Sequence, residues 1–186
     1  SNIFSINKFD LKTNDSLKIL IDLYQNIITS SIRHSIGEFY TPSKLAEFMV
    51  KNTYKLGMRV LDPACGSGIF IIEILKTILN SNLSHNQKLR FIERIFGIDI
   101  NPISTFITKC CLTLLLKNIG SFKILNNIFT ANSLIESDKL TKAIGNVDLI
   151  IGNPPWVVYR DIESIEYQNL IKNLSKLNNI LPCLLY

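Results

Sequence analysis

Asn153-Pro154-Pro155-Trp156 follows the most strand-like segment of the chain, Asp148 to Ile151, and can neither extend that strand nor start a helix cleanly. Its residue types suit a polar grip. The Asn153 carboxamide oxygen and a proline carbonyl are acceptors, two prolines fix φ and remove two N–H donors, and Trp156 offers a flat π face. A rigid turn carrying a core tryptophan is the alternative. A second constellation is Leu61-Asp62-Pro63-Ala64-Cys65-Gly66-Ser67-Gly68. Gly66 and Gly68 let the backbone turn tightly and approach a ligand, at a helix N-terminus whose free N–H groups point outward. A tight turn without a ligand would use the same glycines. The third is Asp99-Ile100. A carboxylate at a strand end can accept from both hydroxyls of a ribose while Ile100 packs on a purine; alternatively Asp99 helps Asn101 cap the next helix. Ile71 stands where a dinucleotide fingerprint wants its last glycine, and no Gly-Lys-Ser/Thr follows, so neither an NAD site nor a P-loop fits.

These residues need a frame, and the chain supplies alternation. Val60 to Asp62, Ile95 to Asp99, the region of Phe122 to Leu134 and Val147 to Gly152 read as short apolar strands. Gly68 to Leu79 and Pro102 to Lys117 read as helices between them, the second opened by Asn101-Pro102. That pattern predicts an α/β domain with a mostly parallel sheet covered on both faces, whose ligand site lies at the carboxyl ends of the strands. The odd residues sit there: Asp62 to Gly68, Asp99, Asn132 and Asn153. Upstream, residues 15–32 carry a helical stripe of Leu17, Leu20, Ile21, Tyr24, Ile27 and Ile28, with Asp15 or Ser16 as N-cap. After Gly37, Thr41-Pro42 has N-cap and N1 chemistry, with Leu45, Phe48 and Met49 as the apolar stripe of the next helix. Residues 160–177 read as a mixed-charge helix with Ile162, Ile165, Leu170, Ile171 and Leu174 inward, and Lys172 and Lys176 within reach of a phosphate.

With 186 residues, 47% hydrophobic and 19% charged, the chain can bury one real core. No apolar run approaches the ~20 residues of a membrane span, and the first residues lack a signal-peptide core, so a cytoplasmic protein is expected. A formal charge of +5 permits a nucleic-acid partner without demanding one. Cys65, Cys110, Cys111 and Cys183 form no C-x-x-C pair, which points to reduced thiols and no structural metal. His34 and His85 are isolated, and neither takes a role.

Asp62 to Phe70, followed by Gly97 to Pro102 and by Asn153 to Trp156, resembles the signature of amino-group DNA methyltransferases that use S-adenosylmethionine. Gly37 to Val50 resembles the segment with which the adenine-N6 enzymes of restriction–modification systems, the type I modification subunits among them, close over the methionine end of that cofactor. The resemblance spans residues 37–160 and implies a Rossmann-like methyltransferase fold preceded by a helical segment. It implies that Tyr40 and Thr41 meet the methionine carboxylate, that Asp62 faces its amino group, and that Ala64, Cys65, Gly66 and Gly68 form the loop beneath it. Asp99 would hold the ribose and Ile100 the cofactor adenine. Asn132, with Ser133, takes the place where relatives carry an aspartate that accepts from the adenine amino group. It further implies that Asn153, Pro154, Pro155 and Trp156 receive an extruded adenine, the two acceptors drawing the planar amine toward a tetrahedral, nucleophilic nitrogen.

Members of that family continue well beyond the equivalent of Tyr186, so the expected division is 1–36 helical, 37–160 catalytic core and 161–186 helical tail, with an incomplete sheet. The implied partners are DNA and either a C-terminal portion or a specificity or restriction subunit, with little transfer by these residues alone. Methylation of RNA or of a protein glutamine, and a non-catalytic cofactor-binding or assembly module, are the other readings.

Overall fold

The computed structural model describes residues 15–24, 40–155 and 164–177, which fall into two units. The larger, holding residues 15–24 and 40–154, is built on four parallel strands in the order β3-β2-β1-β4. These are β1 (Val60–Asp62), β2 (Ile95–Asp99), β3 (Ile128–Thr130) and β4 (Leu149–Ile150). Leu61 pairs with Phe96 on one side and Ile150 on the other, and Asp99 pairs with Thr130. Parallel strands put all their carboxyl ends on one edge, so Asp62, Asp99, Asn132 and Asn153 follow strands that point the same way.

Alternation along the strands divides the apolar residues between two faces. Val60, Ile95 and Ile128 join the main core, whereas Leu61, Phe96, Ile98 and Phe129 join a smaller cluster with Leu140 and Ile144. The main core is filled by α1 (Ser43–Thr53), α2 (Ile69–Leu79) and α4 (Pro102–Leu116), and the smaller cluster by α5 (Ser137–Ile144); α3 (His85–Ile92) follows α2. Helix α2 buries Phe70, Ile71, Ile72, Ile74, Leu75 and Ile78, which is apolar nearly all round, as a central helix must be. Its neighbour α4 starts as the sequence dictates: the Asn101 side chain accepts from the Ile103 N–H at 2.9 Å, and Pro102 fills the first turn. Ser84 and Gln87 close a capping box on α3, worth about 1 kcal/mol.

Several expectations are corrected. The region of Phe122 to Leu134 is strand only over Ile128–Thr130 and is preceded by a 3-10 helix over Lys123–Asn127. Helix α1 begins at Ser43, with Pro42 outside it at ψ 138° and no side-chain cap, so Thr41 is not its N-cap. The Pro42 carbonyl instead accepts from the Leu45 and Ala46 N–H groups. The buried face of α1 is Ala46 and Val50 with Met49 half-buried, while Leu45 and Phe48 are exposed. A small alanine lets α1 approach the core closely, and alanine contributes little to an apolar stripe read from sequence.

Upstream, residues 15–24 are helical, with Leu17 and Tyr24 buried. In the smaller unit, α6 (Ile165–Leu177) has Leu170, Ile171 and Leu174 half-buried, but Ile165 is exposed at its first position, not inward. Ile27, Ile28, His34, Gly37, Ile162 and Cys183 lie outside the described residues. Among the described residues no helix is long and apolar enough to cross a membrane.

Candidate active site

Asp62 ends β1 and is 1% exposed. Its Oδ1 accepts from the Ala64 N–H at 3.1 Å, while its Oδ2 is buried with no hydrogen-bond partner. Burial pushes this carboxyl up to about 7, and the nearby Asp99 carboxylate adds to the rise, against the lowering effect of the Ala64 N–H. A solitary buried carboxylate oxygen is costly unless something cationic or proton-bearing meets it. The chain passes close by on the other side. A Cβ at Gly152 would stand 2.4 Å from Asp62 Oδ1, so the exit of β4 requires glycine there.

The loop after Asp62 is tied down by its own backbone. The Cys65 N–H donates to the Ile98 carbonyl at 2.8 Å and the Gly68 N–H to the Cys65 carbonyl at 2.7 Å. From α4, the Thr108 hydroxyl donates to the Gly66 carbonyl at 2.8 Å. Gly68 adopts φ +84°, and a Cβ there would meet Thr108 Cγ2 at 2.8 Å. At Gly66 a Cβ would meet nothing within 4 Å, so this side of the loop stands open. Burial among the carboxylates of Asp62 and Asp99 holds the Cys65 thiol well above its ordinary range, so it stays protonated and is no nucleophile.

Asp99 does more than cap. Its Oδ2 accepts from the Gly66 N–H and its Oδ1 from the Asn101 N–H, each at 2.8 Å. Burial raises this carboxyl as well, an effect that the Asn101 and Gly66 N–H groups and the nearby Ser104 hydroxyl only partly counter. A carboxylate has about four acceptor positions, so part of its capacity is left for a ligand. Ile100 beside it is 66% exposed, an apolar side chain presented to whatever lies there.

Asn132 and Ser133 follow β3 and are half-buried. The Asn132 side-chain oxygen accepts from the Leu134 and Ile135 N–H groups at 3.0 and 3.2 Å, so that oxygen holds a turn. Asn153 is half-buried just beyond β4, Pro154 and Pro155 are exposed, and Trp156 lies outside the described residues. Tyr40 and Thr41 line a cleft of about 480 Å³ together with Ser43, Ile69 and Glu73, at the start of α2. The structure thus gathers Asp62, the glycine loop, Asp99 and Asn153 at one edge of the sheet. Sequence reasoning missed Gly152, whose signal is a glycine between a strand and Asn-Pro, and Ser104 and Thr108, which read only as helix positions. Among the described residues no group of three or more His, Cys, Asp or Glu side chains gathers to hold a metal, and Cys65, Cys110 and Cys111 are free thiols.

Comparison with known proteins bears on this edge. Residues 16–177 match the family model for N-6 DNA methylase. The chain is 26% identical over 158 residues to the methylase subunit of the type I restriction enzyme EcoEI from Escherichia coli, covering 83% of this chain and 31% of that protein. It is 32% identical over 142 residues to the type II methyltransferase M.NspV from Nostoc, covering 74% of this chain and 26% of that one. It therefore spans less than a third of the length of these curated relatives. Among solved structures, the DrdV–DNA complex superposes with a TM-score of 0.67 at 20% identity, over 88% of this chain and 19% of that one. A modification subunit of a putative type I restriction enzyme from Vibrio vulnificus superposes with a TM-score of 0.54 at 27% identity, over 77% of this chain and 29% of that one. The fold is the Rossmann-like methyltransferase fold, and the chain belongs to the N-6 DNA methylase family, whose chemistry draws on a methyl-donor cofactor.

Proposed function

We propose that this chain is the cofactor-binding and amine-activating part of an enzyme that methylates the exocyclic N6 of adenine in DNA, within a restriction–modification system, with S-adenosylmethionine as donor. The observation that carries the reading is the buried Asp62 oxygen without a partner, one strand away from Asp99 and one from Asn153. That oxygen suits a cationic amine such as the α-ammonium of an amino acid. The open face at Gly66 and the exposed Ile100 suit the sugar and purine of a nucleoside. The residues present therefore fit the cofactor.

When bound, S-adenosylmethionine supplies an electrophilic methyl on a sulfonium. In this reading Tyr40 and Thr41 meet its carboxylate, Asp62 its ammonium, and Ala64, Cys65, Gly66 and Gly68 form the floor. Asp99 holds the ribose and Ile100 packs on the adenine. Asn132, its oxygen engaged in the turn, would act through its amide nitrogen or rearrange, with Ser133 beside it. Asn153 and the Pro154 carbonyl each accept one hydrogen from the target amine, which frees the nitrogen lone pair. Pro155 stiffens that grip and Trp156 stacks on the flipped base. A strong general base is not needed, because positioning and oriented acceptors supply most of the effect.

The division into 1–36, 37–160 and 161–186 belongs to this proposal. So do DNA and a specificity or restriction subunit as partners, and the cytoplasm as the compartment where they meet. Transfer of labelled methyl by the full-length protein to DNA, RNA and glutamine-bearing peptides tests it. N6-methyladenine in DNA alone is the expected product. Label confined to RNA or peptide would replace the DNA assignment, and no binding of S-adenosylmethionine at all would remove the cofactor site.

A further inference from the structure

Thr108 lies on the second turn of α4 and is 0% exposed. A threonine in a helix commonly turns its hydroxyl back onto its own backbone, as Thr77 does to the Glu73 carbonyl and Thr113 to the Lys109 carbonyl. Thr108 instead donates off its helix, to the Gly66 carbonyl at 2.8 Å. The N–H of that same glycine donates to Asp99 Oδ2 at 2.8 Å. The other oxygen of Asp99 accepts from the N–H of Asn101, the N-cap of α4, also at 2.8 Å. These bonds close a ring, from Thr108 to Gly66, to Asp99, to Asn101 and back along about two turns of α4. Gly66, at φ +52°, is thus held at both ends of its backbone while its open side faces away from the protein. The methyl of Thr108 does something different: it lies against Gly68, where an added Cβ would stand 2.8 Å from it.

We propose that Thr108 is a positioning residue for the cofactor site, its hydroxyl fixing Gly66 and, through Gly66, the Asp99 carboxylate where a ribose is held. This rests on the reading of that edge as an S-adenosylmethionine site. Valine would fill the same buried space with no polar group to satisfy, so packing alone gives no reason for a hydroxyl here. What the hydroxyl adds is the link that closes the ring. Glycine has the widest choice of backbone angles, so with its carbonyl released Gly66 can shift φ and ψ and carry its N–H out of line with Asp99. A carboxylate that loses one of two fixed donors has more than one orientation open to it. Its remaining acceptor positions then no longer point where the ribose hydroxyls must meet them. One helix thereby sets the floor of the loop and the ribose acceptor against each other.

The test uses the full chain, with S-adenosylhomocysteine as the probe. Thr108→Val keeps the shape and the methyl and removes the donor; Thr108→Ser keeps the donor and removes the methyl. Calorimetric titration should show binding weakened about three- to tenfold in Thr108→Val, as expected for one lost hydrogen bond, and within about twofold of the unmodified chain in Thr108→Ser. Packing against Gly68 as the sole role would reverse that order. In an Asp99→Ala background Thr108→Val should cost nothing further, because both interrupt one ring. Without ligand, exchange of the Gly66 amide hydrogen should quicken by about the same factor in Thr108→Val and stay slow in Thr108→Ser. Should Thr108→Val fail to fold, by circular dichroism, Thr108→Ala removes the donor without adding bulk and carries the same comparison. Unchanged affinity in Thr108→Val, an equal loss in Thr108→Ser, additive losses with Asp99→Ala, or Gly66 exchange unmoved by loss of the hydroxyl would overturn the role of Thr108 and leave the cofactor site standing. Absence of probe binding by the unmodified chain would bring down the site itself, and this role with it.

Discussion

Replacing Asp62 by asparagine should make the ligand-free protein more stable at neutral and higher pH while destroying its affinity for the cofactor. Burial lifts the Asp62 carboxyl from 3.8 in the unfolded chain to about 7 in the fold. The sign follows from proton counts. Between those two values the folded state keeps a proton that the unfolded state has released, so the carboxyl's contribution is complete below about 3.8 and is lost as pH rises through about 7. At about 1.4 kcal/mol per pKa unit, the loss over the whole window is roughly 4 kcal/mol, of which about 2–3 falls between pH ~5 and pH ~8. Asparagine has the same shape and no charge, and like a protonated Asp62 it places an unpartnered donor group at the Oδ2 position, so the two should lie close together at the acid end. Urea denaturation of both forms at several pH values, without ligand, should therefore give stability differences that grow by about 2–3 kcal/mol from pH ~5 to pH ~8, with the variant ahead. Asp99 titrates in the same direction, and neutralising its neighbour reinforces the trend. Parallel pH profiles for the two proteins would show that Asp62 is not held protonated by its surroundings, and the reasoning would fail.

Gly152→Ala should destabilise the protein by about 1–3 kcal/mol and weaken the cofactor, because the new Cβ must displace a buried carboxylate rather than a flexible tip; thermal unfolding and titration check it. Asp99→Ala should cost about 1–3 kcal/mol of cofactor binding through lost charge-assisted hydrogen bonds, and unchanged affinity in a titration would take Asp99 out of the site. Asn153→Ala in the full-length protein should abolish methyl transfer with cofactor affinity intact; a joint loss of both would make Asn153 a structural residue.

The first two strands and the two long helices were legible because continuous apolar runs and the Asn101-Pro102 start are local signals, whereas the region of Phe122 to Leu134 turned through a 3-10 helix before its short strand. The edge that collects Asp62, Asp99 and Asn153 was legible for the same reason: parallel strands have only one place to end. The face of α1 was not, because Ala46 hardly registers in an apolar stripe while Leu45 and Phe48 dominate it. Nor was the occupation of the Asn132 oxygen, since the same amide can hold a turn or face a ligand, and backbone geometry decides. Gly152 and Thr108 escaped because their meaning lies in partners distant along the chain. No spacing rule connects Gly152 to Asp62, or Thr108 to Gly66.

The two faces of the sheet carry unequal loads, and this grades how easily each part opens. On one side α2 and α4 press on β2 and β3 through a large buried core; on the other a few residues around Phe96 and Leu140 do that work, and Ile150 on β4 stays 63% exposed. Among the described residues β4 is two residues long and pairs only with β1. Amide hydrogens should therefore exchange slowest in β2 and α2 and fastest around β4, as separate cooperative units. The glycine loop hangs from the slow part and Asn153 from the fast one. Fraying at β4 would let the base-gripping residues adjust to a strained nucleotide without loosening the hold on the cofactor.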